Sequence, residues 1–246
     1  MTGVAEVQAP AEAAPVPRAV GLDGRPNLLR RAFMEGIGVF ALVVAGCGAI
    51  ITDTTREGAL GSVGISLVFG LIIMVMIYAG GHLSGAHYNP AVTVAFALGR
   101  HFPPRDAFVY IAAQLLGAVA GALLLLAAWT DAPADLGATV PSVATGTALL
   151  YEVVLTAFLM FVITAVATDT RAVGAAAAIA IGGTVALDAL FGGPITGASM
   201  NPARSFGPAL AAGQWSDFWV YVMGPLAGAG IGVFAYEFVR GERPLD

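Results

Sequence analysis

The chain contains no lysine and a single cysteine, and charged residues make up only 11% of its 246 positions. With Cys47 alone there is no disulfide framework and no cysteine metal cluster, and this residue reads as a small apolar side chain in a glycine-rich helix. All eleven basic residues are arginine, a bias of genome composition rather than of chemistry. The net charge of −5 is small and scattered, which argues against a nucleic-acid partner and against a strong anionic-lipid patch. Charge this sparse, beside 58% apolar residues and a mean hydropathy of +0.83, excludes an ordinary soluble domain and leaves an integral membrane protein. Residues 1–27 are rich in Ala, Pro, Val and Glu and have no continuous apolar core. They are expected to form a disordered cytoplasmic tail rather than a cleaved signal peptide.

Six stretches are long and apolar enough to cross a hydrocarbon core of roughly 30 Å, which takes about 20 helical residues. They lie near 30–52, 61–81, 106–129, 147–168, 174–193 and 216–239. Two more, near 90–100 and 202–212, are about ten residues long and reach about 15 Å, half the membrane. Two such pieces entering from opposite sides and meeting tip to tip make one composite span. Arg18, Arg25, Arg30 and Arg31 precede the first span; Arg100 and Arg105 follow the second, Arg171 the fourth, and Arg240 and Arg243 the sixth. The connections after spans one, three and five hold only Arg56 and Arg204, so both termini are expected on the cytoplasmic side of a plasma membrane.

The Asn-Pro-Ala triplet occurs twice, at Asn89-Pro90-Ala91 and Asn201-Pro202-Ala203, inside near-copies: HLSGAHYNPAVTVAFALG and PITGASMNPARSFGPALA. Gly85/Gly197, Ala86/Ala198, Ala97/Ala209 and Leu98/Leu210 coincide at the same offset. Three spans separate equivalent points, and an odd number inverts the repeat. The expected fold is therefore all-α, with six transmembrane helices and two re-entrant half-helices in an inverted 3+3 arrangement, its working site at the midplane where the halves meet. The channel domain is expected over 28–240, with repeats at about 28–129 and 147–240 and a short tail at 241–246. Glu35 and Glu152, and the paired glycines Gly117/Gly121 and Gly224/Gly228, extend the correspondence; the glycines permit close helix crossing.

Pro at the first helical position is preorganised, and Asn is a leading N-cap. Asn also keeps an NH2 donor after its oxygen has capped the helix. Two such donors side by side, with two helix N-termini each worth about half a positive charge, oppose cations and offer hydrogen bonds to a neutral hydroxyl compound. Ahead of each cap run Gly85-Ala86-His87-Tyr88 and Gly197-Ala198-Ser199-Met200, whose carbonyls can form an acceptor ladder if they line a wet cavity. Donors at the centre and acceptors above and below describe a single-file channel. A secondary transporter also uses inverted repeats and broken helices, but mid-span carboxylates near the motifs are absent apart from Glu35 and Glu152. His82 and His87 are not at metal-binding helical spacing and no carboxylate pair or Ser/His dyad faces the motifs, so no catalytic or metal site and no cofactor are expected.

The motifs GHLSGAHYNPAV and GASMNPARSFGP, the two early-span Glu residues and the paired glycines resemble the major intrinsic protein family of aquaporins and aquaglyceroporins, over essentially all of residues 28–240. That resemblance implies six tilted helices with two half-helices, a pore in every subunit and a homotetramer. It implies that Glu35 and Glu152 hold the re-entrant loops by accepting backbone N–H bonds. It also places a constriction at Phe69, Ala189, Ala198 and Arg204, the last standing where the first motif has Val92. Strict water channels carry His in place of Ala189 and Thr or Cys in place of Ala198, so two Ala side chains imply a wider, more apolar gap. Glycerol facilitators carry Trp, Gly and Phe there, which this chain does not match. Ser205, Ala209, Phe218 and Trp219 pull toward the water group, whereas the stretch LFGGPITGASMNPARS is similar to plant nodulin-26-like channels and their bacterial relatives, which pass small metalloid acids and glycerol. The expected function is a passive channel for water and small uncharged solutes, with strict water selectivity as the alternative. Asp188 is expected at a helix end reaching water, or as an acceptor in the outer vestibule. His82 and His87 are expected in loop packing, with a pH gate as the alternative, and His101 in solvent.

Overall fold

The computed structural model describes residues 26–241 apart from Thr170 and Val173; the expected tails, except for residues 26, 27 and 241, lie outside the described residues. Among the described residues, six helices are long and apolar enough to cross a membrane: α1 (Leu28–Thr55), α2 (Gly61–Ser84), α4 (Pro104–Ala128), α5 (Thr145–Thr168), α6 (Ala177–Thr196) and α8 (Val220–Arg240). Between them lie two half-length helices, α3 (Pro90–Leu98) and α7 (Pro202–Ala212). Helix α1 is interrupted by a wide π turn at Val43–Cys47. The fifth span starts later than its apolar run suggests, because Gly174–Ala176 forms a 3₁₀ turn, and the sixth starts at Val220 because residues 216–219 are spent on turns.

The pairing of helices follows the repeat. Helix α1 packs on α4 as α5 packs on α8, and α2 crosses α6 at the seam between the halves. At that crossing Gly70 faces Gly182 backbone to backbone: a methyl on either would overlap the other's carbonyl oxygen. These two glycines are separated in sequence by the spacing that separates Asn89 from Asn201, so they stand on the local two-fold axis. The half-helices lean across the seam, α3 against α8 and α7 against α4.

Close approach within each half rests on glycine as well. A methyl on Gly117 would overlap the carbonyl of Gly36, and one on Gly228 the carbonyl of Val153; Gly121 and Gly232 stand likewise over the carbonyls of Phe40 and Ala157. Gly36 and Val153 each follow a buried glutamate. The true partners in the repeat are therefore Gly117 with Gly228 and Gly121 with Gly232, one helical turn away from the pairing expected from sequence. Gly224 instead lies against the Cβ of Glu152. The spacing alone misleads because α8 carries three glycines at intervals of four, and only contact decides which two are equivalent.

Polar residues tie down the face that carries both described chain ends. Arg31 donates from Nε to the Tyr110 hydroxyl at 3.0 Å and lies 3.4 Å from Asp106. Just beyond α5, Asp169 accepts from Arg171 at 2.6 and 2.9 Å and from the Tyr236 hydroxyl at 2.9 Å. The Arg171 side chain, its backbone N–H and Tyr236 hold the Asp169 carboxyl well below the usual carboxylate range. His101 is not left to solvent, contrary to expectation: its Nε2 lies 2.9 Å from Glu237 Oε1, which fastens the loop after α3 to the end of α8.

Replacing Gly117 by Ala should cost about 1–3 kcal/mol or more, because the methyl meets backbone that cannot rotate away. Gly230→Ala, where nothing lies within 4 Å, should leave stability unchanged or raise it. Thermal unfolding of the detergent-solubilised protein distinguishes the two, with a clearly lower midpoint expected only for Gly117→Ala.

Candidate functional site

Both re-entrant segments begin with a helix that ends in left-handed glycine. Gly85 (φ 91°) and Gly197 (φ 87°) cap α2 and α6, donating to the carbonyls of Gly81 and Gly193 at 2.9 Å. Left-handed conformations then continue at Ala86 and Tyr88 (φ 51° and 49°) and at Ala198 and Met200 (φ 40° and 52°). Such residues persist only where the surroundings over-determine them.

A buried glutamate does so in each half. Glu35 Oε1 accepts from the Ser84 hydroxyl at 2.7 Å and the His87 N–H at 3.0 Å; Oε2 accepts from the Tyr88 N–H at 2.6 Å and the Gln114 amide at 2.9 Å. Glu152 Oε1 accepts from the Thr196 hydroxyl at 2.8 Å and the Ser199 N–H at 2.9 Å, and Oε2 from the Met200 N–H at 2.8 Å. Ser84 and Thr196 in turn accept the N–H groups of Ala86 and Ala198, both at 3.0 Å. Three consecutive N–H groups in each loop are thus turned toward the protein. Among the described residues, the carbonyls of Gly85, Ala86 and His87, and of Gly197, Ala198 and Ser199, have no protein donor.

The two caps meet. Asn89 accepts from the Ala91 N–H at 2.8 Å, and Asn201 from those of Ala203 and Arg204 at 3.0 and 3.3 Å. Each asparagine amide then reaches across the seam: Asn89 Nδ2 donates to the Met200 carbonyl at 2.7 Å and Asn201 Nδ2 to the Tyr88 carbonyl at 2.8 Å. The amides are therefore not wholly free donors; one N–H of each ties the loops together and one remains. The Tyr88 and Met200 carbonyls, which also border the lane, each give one of their two lone pairs to the opposite loop.

One cavity runs past these groups. Its polar side comprises the two loops with Asn89, Asn201 and Arg204, and most of its other wall comes from one stripe of each of three helices, Phe69, Ile73 and Ile77 of α2, Leu159, Ile163 and Ala167 of α5, and Ala177, Ile181, Val185 and Ala189 of α6, with Leu42 of α1 and Val92 and Phe96 of α3 completing it. All three stripes step by four residues, so a single face of each helix lines the lane. At the end where Arg31 and Arg240 lie, the lane opens into a mouth lined also by His82, Ser84, His101 and Phe102. The opposite mouth is bordered by Asp53, Ser62, Ser66 and Asp135 and shares Phe69, Ala189 and Ala198 with the lane.

Arg204 stands at that second end, 2% exposed, donating from Nη1 to the Gly137 carbonyl at 2.8 Å. Its guanidinium lies 5.0 Å from the centre of the Phe69 ring. Phe69, Ala189, Ala198 and Arg204 thus come together around one place. Behind Arg204, the Ser205 hydroxyl bonds with those of Thr139 and Ser199 at 2.8 and 2.6 Å. His87 is buried with its Nδ1 3.1 Å from Thr93 Oγ1 and its ring against Phe96, Phe102 and Tyr110.

Asp188 meets neither expectation. It is fully buried, it borders neither the lane nor the mouth beyond Ala189, and among the described residues neither of its oxygens has a hydrogen-bond partner. Adjacent residues on a helix point about 100° apart, so the lane-facing position of Ala189 turns Asp188 into the bundle. Sequence reading missed Gly137, which sits in an irregular loop without a motif. It also missed Gln114, a buried amide in an otherwise apolar span whose polarity was the visible signal, and the pair Ser84/Thr196, which obey the repeat offset.

Comparisons with known proteins agree with this geometry. Residues 24–236 match the family model described as major intrinsic protein. Aquaporin NIP1-1 of Oryza sativa subsp. japonica is 44% identical over 220 residues, covering 89% of this chain and 78% of the relative. Nodulin-26 of Glycine max is 42% identical over 219 residues, covering 89% and 81%. Among solved structures, the aquaglyceroporin from Plasmodium falciparum superposes with a TM-score of 0.76 at 26% identity, covering 85% of this chain and 96% of that one.

Substituting Glu152 by Gln puts an NH2 donor against N–H and O–H donors. The expected loss is about 1–3 kcal/mol, the cost of one buried unsatisfied donor, together with slower osmotic water flux in proteoliposomes. Unchanged flux and unchanged melting would show that the second loop does not depend on this carboxylate.

Proposed function

The chain belongs to the major intrinsic protein family, and from that premise we propose which solutes pass and how. It is a multi-pass membrane channel for water and small neutral solutes, not an enzyme. We infer that the lane between the two mouths is the conduction path, that the six open loop carbonyls are its acceptors, and that the free N–H of Asn89 and of Asn201 are its central donors. A molecule in transit exchanges bulk hydrogen bonds for these, while the three apolar stripes offer no replacement for an ion's hydration shell. Two half-helix N-termini converge at the same depth, each worth about half a positive charge, and Arg204 adds a full one near the far mouth. Cations and hydrated protons meet that field unscreened. Pore diameter, lining donors and an Arg barrier are the general terms of aquaporin-type selectivity.

The observation that carries the solute assignment is the set of side chains around Arg204. Ala189 and Ala198 leave its donors facing an open, apolar gap with Phe69 on one side. Such a gap admits glycerol and metalloid hydroxides such as arsenite or boric acid besides water. The similarity to Nodulin-26 and to an aquaglyceroporin supports the same reading. We propose further that the chain assembles as a homotetramer with a pore in each subunit, in the plasma membrane with both ends cytoplasmic. The apolar side chains exposed on α2 and α4, among them Leu67, Leu71, Phe108 and Leu116, suit lipid or a neighbouring subunit.

Stopped-flow light scattering on proteoliposomes tests the solute range: osmotic shrinkage should be followed by re-entry of glycerol and boric acid, and a protein that passes water alone would overturn it. Ala189→His should lower glycerol and boric acid flux by about tenfold, equivalent to about 1.4 kcal/mol at the barrier, with water flux nearly retained.

A further inference from the structure

The two bulky members of the constriction, Phe69 and Arg204, both rest on one turn of α1. Val43–Cys47 is wound as a π turn, a rare local widening of a helix that recurs at functional sites. It presents two consecutive buried residues to the end of the lane. Gly46 lies beneath the Phe69 ring: a methyl built on it would overlap Cε1, Cδ1 and Cζ. Cys47 lies beneath Gly137, whose own added Cβ would come within 2.8 Å of the Cys47 Cβ, and its thiol lies 3.8 Å from the Gly137 carbonyl. That same carbonyl holds Arg204 Nη1 at 2.8 Å. The ring and the guanidinium face each other with 5.0 Å between the guanidinium carbon and the ring centre, so what each rests on fixes the gap between them.

We propose that the π turn of α1, through Gly46 and Cys47, sets the aperture of the constriction and is a determinant of which neutral solutes pass. Gly46 is a positioning residue for Phe69, and Cys47 a positioning residue for Arg204 through Gly137. Neither borders the lane itself. The Phe69 ring is buried against α1 on one side and borders the lane on the other. A side chain at Gly46 therefore drives the ring into the lane, toward Arg204, which narrows the gap for a polyol much more than for water. This inference rests on the proposal that solutes are sorted at Phe69 and Arg204.

Four proteins separate the possibilities: wild type, Phe69→Ala, Gly46→Ala and the double variant, each read as the ratio of glycerol to water permeability, which cancels differences in incorporated protein. Phe69→Ala should raise the ratio and Gly46→Ala lower it by about fivefold or more. The double variant should recover the Phe69→Ala ratio, because the methyl then has no ring to displace. If Phe69→Ala alters the ratio but Gly46→Ala does not, or lowers it equally without the ring, the role of the π turn is overturned while the constriction stands. If Phe69→Ala leaves the ratio unchanged, the constriction reading itself falls. A Gly46→Ala chain that fails to insert while the double variant conducts supports the proposal, since only the ring makes the methyl intolerable; failure of both overturns it.

Discussion

Backbone amides inside a membrane have no water to turn to, and every N–H or C=O placed there must find a partner or line a wet cavity. The two re-entrant loops meet this obligation with a pair of buried carboxylates. Glu35 and Glu152 each collect two backbone N–H groups, one from a left-handed residue, Tyr88 or Met200, and one from the residue before it. With the donors gathered on one side, the carbonyls are left to the other. The polar wall of the lane is thus the reverse side of two hydrogen-bonded clusters.

The repeat supplies the architecture and its violations supply the chemistry. Glycines 70 and 182 meet as equals, and the asparagine caps bond reciprocally. Near the mouth bordered by Asp53 and Asp135, that equality ends. Val92 in the first motif corresponds to Arg204 in the second, and the loop carrying Gly137 holds the guanidinium with a carbonyl. A guanidinium thus stands at one end of the lane only, and the two ends of an otherwise repeated architecture differ in side-chain charge.

Most of the fold was legible in the chain because membrane helices announce themselves by length and apolarity, and because the repeated triplet fixed where the break occurs. The half-helices and the asparagine caps followed from residue types whose chemistry admits few alternatives at that depth, whereas the glutamate clusters were implied by the family resemblance. What could not be read depends on contacts between distant segments. Nothing in residues 43–47 signals a π turn. The bond between His101 and Glu237 joins a loop to a helix that sequence leaves unrelated, and the reach of each asparagine amide across the seam requires both halves in place. The glycine correspondence slipped by one turn because a spacing of four recurs along α8. Asp188 was misplaced by a single helical position, the difference between facing the lane and facing the bundle.

The crossed amide bonds, Asn89 to the Met200 carbonyl and Asn201 to the Tyr88 carbonyl, bear on how the molecule is made. The amino-terminal half leaves the ribosome first, carrying one amide hydrogen and one carbonyl that only the second half can satisfy. Its re-entrant segment stays incomplete until the other triplet arrives from the opposite side. Closure of the lane therefore waits for the second re-entrant segment, and a nascent chain that stops before it has no finished pore through which to leak.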